Sequence, residues 1–202
     1  MSRSPRALLS IFGRALLLVA VIVGGWQLYH IKVQHRLDTV TAGKFYKSGA
    51  MPPETMAEVA KELGLKTVID LRTFVEGQDS TNTTAISAIE AEAAALQAVG
   101  VRHVSLPSPQ VPGRDTVDKF LQLLDDPANQ PALVHCHHGV GRAELFSAIY
   151  RMEYEGWDNE RARDATRFFV PGSSFDDSAE KGRYLLNYVP RGSKVSTVTA
   201  PN

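Results

Sequence analysis

The sequence predicts an α/β fold: a mostly parallel central sheet flanked by helices, preceded by an N-terminal membrane helix. Three observations carry this expectation. Short apolar runs of strand length alternate with longer segments of helical spacing between residues 44 and 188, the pattern of strands joined by covering helices. An uncharged apolar run occupies residues 15–29. The only cysteine, Cys136, sits where a short apolar run passes through a glycine-containing turn into a helical segment.

Size and composition are compatible with this. A chain of 202 residues has room for one domain of ordinary size and an appendage. With 44% hydrophobic and 22% charged residues it can build a core of the usual kind. Its 22 basic residues are balanced by 22 acidic ones, which argues against a general nucleic-acid binder and the basic excess such proteins carry. A single cysteine excludes an internal disulfide and any multi-cysteine metal site.

From the N-terminus, Arg3, Arg6 and Arg14 lead into the apolar run, and Trp26 and Tyr29 fall at its far end, where amphipathic aromatics favour a membrane interface. The run is slightly short for a full span of about 20 residues, but a snorkelling Arg14 would let residues 7–13 contribute. An uncleaved anchor competes with a signal peptide cut near Val23, Gly24 and Gly25. Lys32, Arg36 and Lys44 nearly match the three N-terminal arginines, so charge balance scarcely orients the segment. A short tail left in the cytoplasm, the usual arrangement of a signal anchor, would put the domain on the non-cytoplasmic side.

Residues 30–40 are polar and read as a linker, giving three divisions: 1–40 as anchor and linker, 41–190 as the domain, and 191–202 as a tail. Residues 44–49 read as a short strand and turn. A helix is predicted over 53–63, with Pro53 at its start and Gly64 beyond its end. Strands follow at 67–71 and 101–106, separated by a polar loop at 74–83 and an alanine-rich helix at 84–99 that Gly100 ends. Three prolines make 107–113 an irregular loop. A helix at 116–124, a buried strand at 131–134, a helix at 143–152 and two more at 157–169 and 178–188 complete the domain.

The segment that carries chemistry is His135, Cys136, His137, His138, Gly139, Val140, Gly141 and Arg142. A strand that turns through glycines into a helix gathers backbone N–H groups and the positive end of the helix dipole around one point. Such a point can hold a phosphate-like dianion, and a thiol at its mouth would ionise readily. Three histidines beside a cysteine also suggest zinc, but adjacent side chains diverge and cannot close a tetrahedral site alone.

These residues resemble the HCxxGxxR loop of the cysteine-based protein tyrosine and dual-specificity phosphatase superfamily, through His135, Cys136, Gly139 and Arg142. Residues 45–48, 67–72, 148–151 and 155–157 are similar to the compact bacterial and fungal branch of dual-specificity-like phosphatases, so the likeness runs from Thr41 to Tyr188. The resemblance implies a phosphoric monoester hydrolase acting through a phosphocysteine. Cys136 would be the nucleophile and Arg142 the bidentate ligand of the phosphoryl oxygens. Gly139, Val140 and Gly141 would form the anion cradle, His135 would orient the loop from the substrate-binding set, and His137 and His138 would stand at the pocket rim. No metal or organic cofactor is implied.

The sequence departs from the family pattern in two places. Ala143 follows the arginine where Ser or Thr is usual, and Glu144 stands where glycine is common. The family's general-acid Asp comes from a loop roughly thirty residues before the cysteine. Here that loop, 107–113, holds no carboxylate. Asp115 is the nearest candidate for proton donation, and it is equally placed to be the N-cap of the next helix; Glu144 is a further substitute. Asp70 and Arg72 read as structural. The partner expected is a phosphorylated protein, small molecule or lipid headgroup, with no nucleic acid and with the membrane met through the N-terminal helix. The alternatives are a membrane-anchored lipid-phosphate phosphatase, a catalytically weak phosphate-binding pseudophosphatase, and sulfur or arsenate chemistry; the lack of a second cysteine opposes an intramolecular redox cycle.

Overall fold

A computed structural model describes residues 5–73, 83–167 and 172–192. Its first element, α1 (Pro5–Lys32), is long and apolar enough to cross a membrane over Arg14–Ile31, and none of that window is buried. It runs three residues, 30–32, into the stretch expected to be linker.

The domain is a five-stranded sheet built from β1 (Asp38–Thr41), β2 (Phe45–Gly49), β3 (Thr67–Asp70), β4 (Arg102–Ser105) and β5 (Ala132–Cys136). The strand order is β1-β2-β5-β3-β4. The sheet is mixed: β2, β5, β3 and β4 pair in parallel, whereas β1 turns back antiparallel on β2. The β1 hairpin edge is the part of the domain that the linker reading missed. It follows two residues in left-handed backbone, His35 and Arg36, which bring the chain from α1 onto the sheet edge.

Two helices cover one face, α2 (Pro53–Glu62) and α3 (Thr83–Ala98). On this side Met56 and Ala60 of α2 and Leu96 of α3 pack on Tyr46, Val68 and Leu133. The other face carries α4 (Arg114–Asp125), α5 (Arg142–Tyr154), α6 (Asn159–Asp164) and α7 (Glu180–Leu186). The final two are shorter than the predicted 157–169 and 178–188; residues 168–171 of the former lie outside the described residues, as do most of the 74–83 loop and 193–202 of the tail. Arg191, placed in the tail, is held against the domain by ion pairs to Asp125 and Glu153.

Alternation along the strands assigns each side chain to a layer. In β5, Leu133 faces α2 and α3, while Ala132, Val134 and Cys136 face α4–α7. The larger core centres on α5, which is buried almost all round, with Leu145, Phe146, Ala148 and Ile149 wholly enclosed. An aromatic chain ties three elements together here. Phe45 of β2 stacks on Tyr150 of α5 at 4.3 Å and meets Phe120 of α4 edge-on at 5.9 Å, and Phe120 meets Phe146 at 4.9 Å. Such geometry adds to the burial of the rings themselves.

This packing fixes where α5 begins, and so where the cysteine loop ends. Phe120 lies at the middle of the chain and is fully buried. We predict that Phe120→Ala lowers stability by about 3–5 kcal/mol, read from chemical denaturation of the full chain in detergent.

Candidate active site

Cys136 is the last residue of β5, at the carboxyl end of the central strand, and is 3% exposed. The chain then turns back towards α5, and the turn is held from outside. Ala50 N donates to His137 O at 3.2 Å, and Arg36 Nη1 donates to His138 O at 2.7 Å. In a trans peptide the carbonyl and the next N–H point opposite ways. Carbonyls drawn outward at His137 and His138 therefore turn the amides of His138 and Gly139 inward. Gly139 N accordingly donates to Cys136 Sγ at 3.2 Å.

Gly139 has no alternative at its position. Its φ is +74°, and a Cβ would lie 2.6 Å from Gly49 N and 2.8 Å from the Ser48 carbonyl carbon. The loop thus rests directly on the end of β2. Gly141 is the N-cap of α5, whose first hydrogen bond runs from Leu145 N to Gly141 O.

Arg142, the first residue of α5, is 3% exposed, and its Nη1 donates to Leu71 O at 2.8 Å and Ser108 O at 3.1 Å. Carbonyls from two different loops thus aim the guanidinium. Cys136, His138, Val140, Gly141 and Arg142 share a cleft of about 200 Å³ with Gln110, Ser174 and Lys181. The cleft brings together a thiol, inward amides, a helix N-terminus and a guanidinium. That is a constellation for binding a tetrahedral oxyanion against sulfur.

The remaining predicted residues lie elsewhere. His137 is exposed and does not line the cleft; its ring packs edge-on to His138 at 4.5 Å. His135, expected in the substrate-binding set, is wholly buried on the opposite face of β5, because residues adjacent along a strand point to opposite sides. Asp115 is exposed in the first turn of α4 and does not line the cleft. It is not the N-cap either: the helix starts one residue earlier, at Arg114, and Gly113 takes that position. Glu144 turns away to pair with Lys47 of β2 at 2.8 Å; burial raises its carboxyl above the ordinary range, with Lys47 opposing the shift. Ala143 is fully buried in the core.

Behind the loop is a buried ionic cluster that the sequence hid. Ile89, Glu92 and Leu96 form the inward stripe of α3, so Glu92 is a carboxylate in an apolar position. It accepts from His135 Nε2 at 2.9 Å and from Arg72 Nη2 at 2.9 Å. Arg72 also forks onto both oxygens of Asp70, and His103 Nε2 lies 3.3 Å from Glu92 Oε1. Burial alone would lower the His103 imidazole, but Asp70 and Glu92 outweigh it and raise it to about 9. Burial would raise Glu92, but the close His103 imidazole, the hydrogen bond with His135 and the charge of Arg72 hold it at about 2. Asp70 is likewise held well below the usual carboxylate range, His103, His135 and Arg72 overcoming its burial. Asp70, Glu92 and His135 bring one ligand atom each within 4.8 Å of one another. A divalent cation there would have to displace Arg72, which already occupies both carboxylates.

The family model described as DSP-PTPase phosphatase fused to NAD+ kinase matches residues 26–181. The dual specificity protein phosphatase TpbA of Pseudomonas aeruginosa is 30% identical over 142 residues in the PAO1 strain, covering 69% of this chain and 57% of the relative. In the UCBPP-PA14 strain it is 31% identical over 119 residues, covering 58% and 47%. The chain thus spans about half the length of the curated relatives it matches. The crystal structure of P. aeruginosa TpbA superposes with a TM-score of 0.55 at 25% identity, covering 80% of this chain and 86% of that one. The core catalytic domain of the PP-IP phosphatase SIW14 from S. cerevisiae, solved with citrate, shares the fold with a TM-score of 0.54 at 20% identity, covering 77% and 86%.

The buried cluster makes stability depend on pH in a defined window. His103 is raised from 6.5, so its contribution is complete below pH 6.5 and is lost as pH rises through 9. Glu92 is depressed from 4.5, so its contribution holds above pH 4.5 and is lost as pH falls through 2. We predict a stability maximum between these limits and an alkaline decline of about 2 kcal/mol, measured by urea denaturation. His103→Gln should remove most of that decline.

Proposed function

The chain belongs to the cysteine-dependent dual-specificity phosphatase superfamily, and from that premise we propose that it hydrolyses phosphomonoesters through a phosphocysteine. The observation that carries this reading is the hydrogen bond from the Gly139 amide to Cys136 Sγ, in a cleft shared with the anchored Arg142. Donors aimed at sulfur favour the thiolate. A phosphoryl group seated on the inward amides and the Arg142 fork faces the thiolate for in-line attack. The S–P bond forms as the P–O bond of the ester breaks, and water then cleaves the S–P bond to release phosphate. His135 does not touch substrate in this scheme. It holds the end of β5 through Glu92, next to the nucleophile.

The substrates we propose are aryl phosphates, such as phosphotyrosine in proteins or small phenolic phosphates. The relatives named as dual specificity protein phosphatases support a protein substrate. We further propose that α1 anchors the domain to a membrane, as its length and composition allow. Its end, through Gln27, His30 and Ile31, shares a hollow of about 420 Å³ with Gly139 and Val140 of the loop, which would place the site close to the bilayer surface.

For Cys136→Ser in the full chain, we predict a loss of aryl phosphate hydrolysis of at least about a thousandfold, with vanadate binding retained. Undiminished hydrolysis would overturn the assignment. Vanadate binding by a wild type without turnover would favour the phosphate-binding pseudophosphatase instead. A proton-donor role for Asp115 requires its carboxyl to enter the cleft, which it does not line. If Asp115 acts so, Asp115→Asn flattens the fall of kcat from acid to neutral pH; an unchanged profile assigns the leaving group to the cleft's own residues.

A further inference from the structure

Beyond the cysteine loop, the cleft is walled by two residues that lie 71 positions apart in sequence. Lys181 Nζ, from the first turn of α7, donates to Gln110 Oε1 at 2.6 Å. The pair stands over Gly141, where a Cβ would be 3.0 Å from Nζ and 3.5 Å from Oε1. Both therefore rise beside the anion cradle, at the N-terminus of α5, and both line the cleft with Cys136 and Arg142.

The position of Lys181 is built in. Its neighbour Gly182 is buried, and a Cβ there would run into the Asp176 carbonyl and lie 2.6 Å from Phe175 O. Only glycine lets α7 approach the 175–176 turn so closely. Nζ also lies 5.7 Å from the centre of the Phe175 ring, itself fully buried. A lysine on an exposed helix would wander; this one is held to the cleft by a glycine contact, an aromatic face and a glutamine.

In-line attack by sulfur from the cleft floor drives the leaving oxygen outward, opposite the S–P bond and towards the mouth. Among the described residues that line the cleft there is no carboxylate. Arg142 is anchored at depth, where its Nη1 donates to Leu71 O and Ser108 O, and in the phosphatase reading its fork serves the phosphoryl oxygens. Among the described residues that line the cleft, the lysine is Lys181, held over Gly141.

Resting on the phosphatase reading above, we propose that Lys181 is a catalytic residue that meets the charge of the leaving-group oxygen, with Gln110 holding its ammonium in place. The electron pair of the breaking P–O bond departs with the oxygen, which leaves as an anion hydrogen-bonded to the Lys181 ammonium and takes its proton from solvent on release. The S–P bond forms as this bond breaks, so the step balances without a carboxylic acid. A site working this way handles phenolic leaving groups far better than alkoxides, which need full protonation. It therefore selects phosphotyrosine-like over phosphoserine-like esters.

The test is the dependence of kcat/KM on leaving-group acidity, measured on the full chain in detergent with aryl phosphates from nitrophenyl to unsubstituted phenyl. For Lys181→Met the loss should grow along the series, from about threefold for the best leaving group to about thirtyfold for the poorest. Lys181→Arg should keep the wild-type slope, and Gln110→Ala should steepen it part of the way. A uniform loss, or none, for Lys181→Met would overturn the proposal, as would a steeper slope for His138→Gln in its place. Unchanged vanadate binding by Lys181→Met establishes that the cradle is intact; if that variant does not fold, the Gln110→Ala slope decides. Cys136→Ser, run alongside, separates the two claims: if it stays active the phosphatase reading fails, whereas an inactive Cys136→Ser with a parallel Lys181→Met line defeats only the role of the lysine.

Discussion

The site depends on two carbonyl groups being pulled outward. The His137 and His138 carbonyls are engaged by Ala50 N and the Arg36 guanidinium, and planar trans peptides then turn the next two amides the opposite way, that of Gly139 reaching the sulfur. Nothing in the loop alone compels that orientation. It follows from the contact of Gly139 with Gly49, close enough to forbid any side chain at residue 139, and from the chain reversal at His35 and Arg36 that delivers the clamp. The anion cradle is therefore a product of β2 and the segment before β1 as much as of the HCxxGxxR motif. A loop with the same motif and a different underlay would point its dipoles elsewhere.

A second support lies on the other face of the sheet. The pleat sends Cys136 towards α5 and His135 towards α3, where Glu92 awaits it inside an otherwise apolar stripe. Two carboxylates there are matched by Arg72 and a protonated His103, so the cluster is closer to a neutralised knot than to an isolated buried charge. Removing any one member would strand its partners in a dry interior, a more severe effect than the loss of one contact. The knot also sits at the end of β3, whose next residue, Leu71, supplies a carbonyl to Arg142. Rigidity thus passes from a buried ionic cluster, through one peptide, to the Arg142 guanidinium.

Much of this was legible in the sequence, and what was not has a physical reason. The central strands, the helices around them and the nucleophile loop all announce themselves by apolar runs and glycine punctuation. β1 does not: its first two residues are exposed and its last two only half-buried, and one edge pairing is all that makes them a strand. Glu92 reads as one of two glutamates on an alanine-rich helix, and only its register with Ile89 and Leu96 shows that it points inward. Asp70 and Arg72 did read as structural from their place at a strand end, but His103 as a partner of Asp70 was invisible. Gln110 and Lys181 are hidden for a different reason. No local pattern links a proline-rich loop to a helix residue 71 positions further along the chain, and only the fold sets them side by side.

The departures from the family pattern also make sense in this frame. Ala143 is enclosed by the core at the start of α5, and Glu144 is turned to Lys47, away from the cleft. Neither lines the cleft, which leaves the thiol, the inward amides, Arg142 and the mouth of the cleft to account for the proposed turnover. The claim on which all of this rests is that phosphorus passes through Cys136 Sγ. Rapid mixing with an aryl phosphate, acid quench and peptide mass analysis tests it directly. The account predicts a phosphoryl adduct on the peptide containing Cys136 that forms before steady state and disappears as phosphate is released. Sustained turnover with that peptide unmodified at every time point would contradict it.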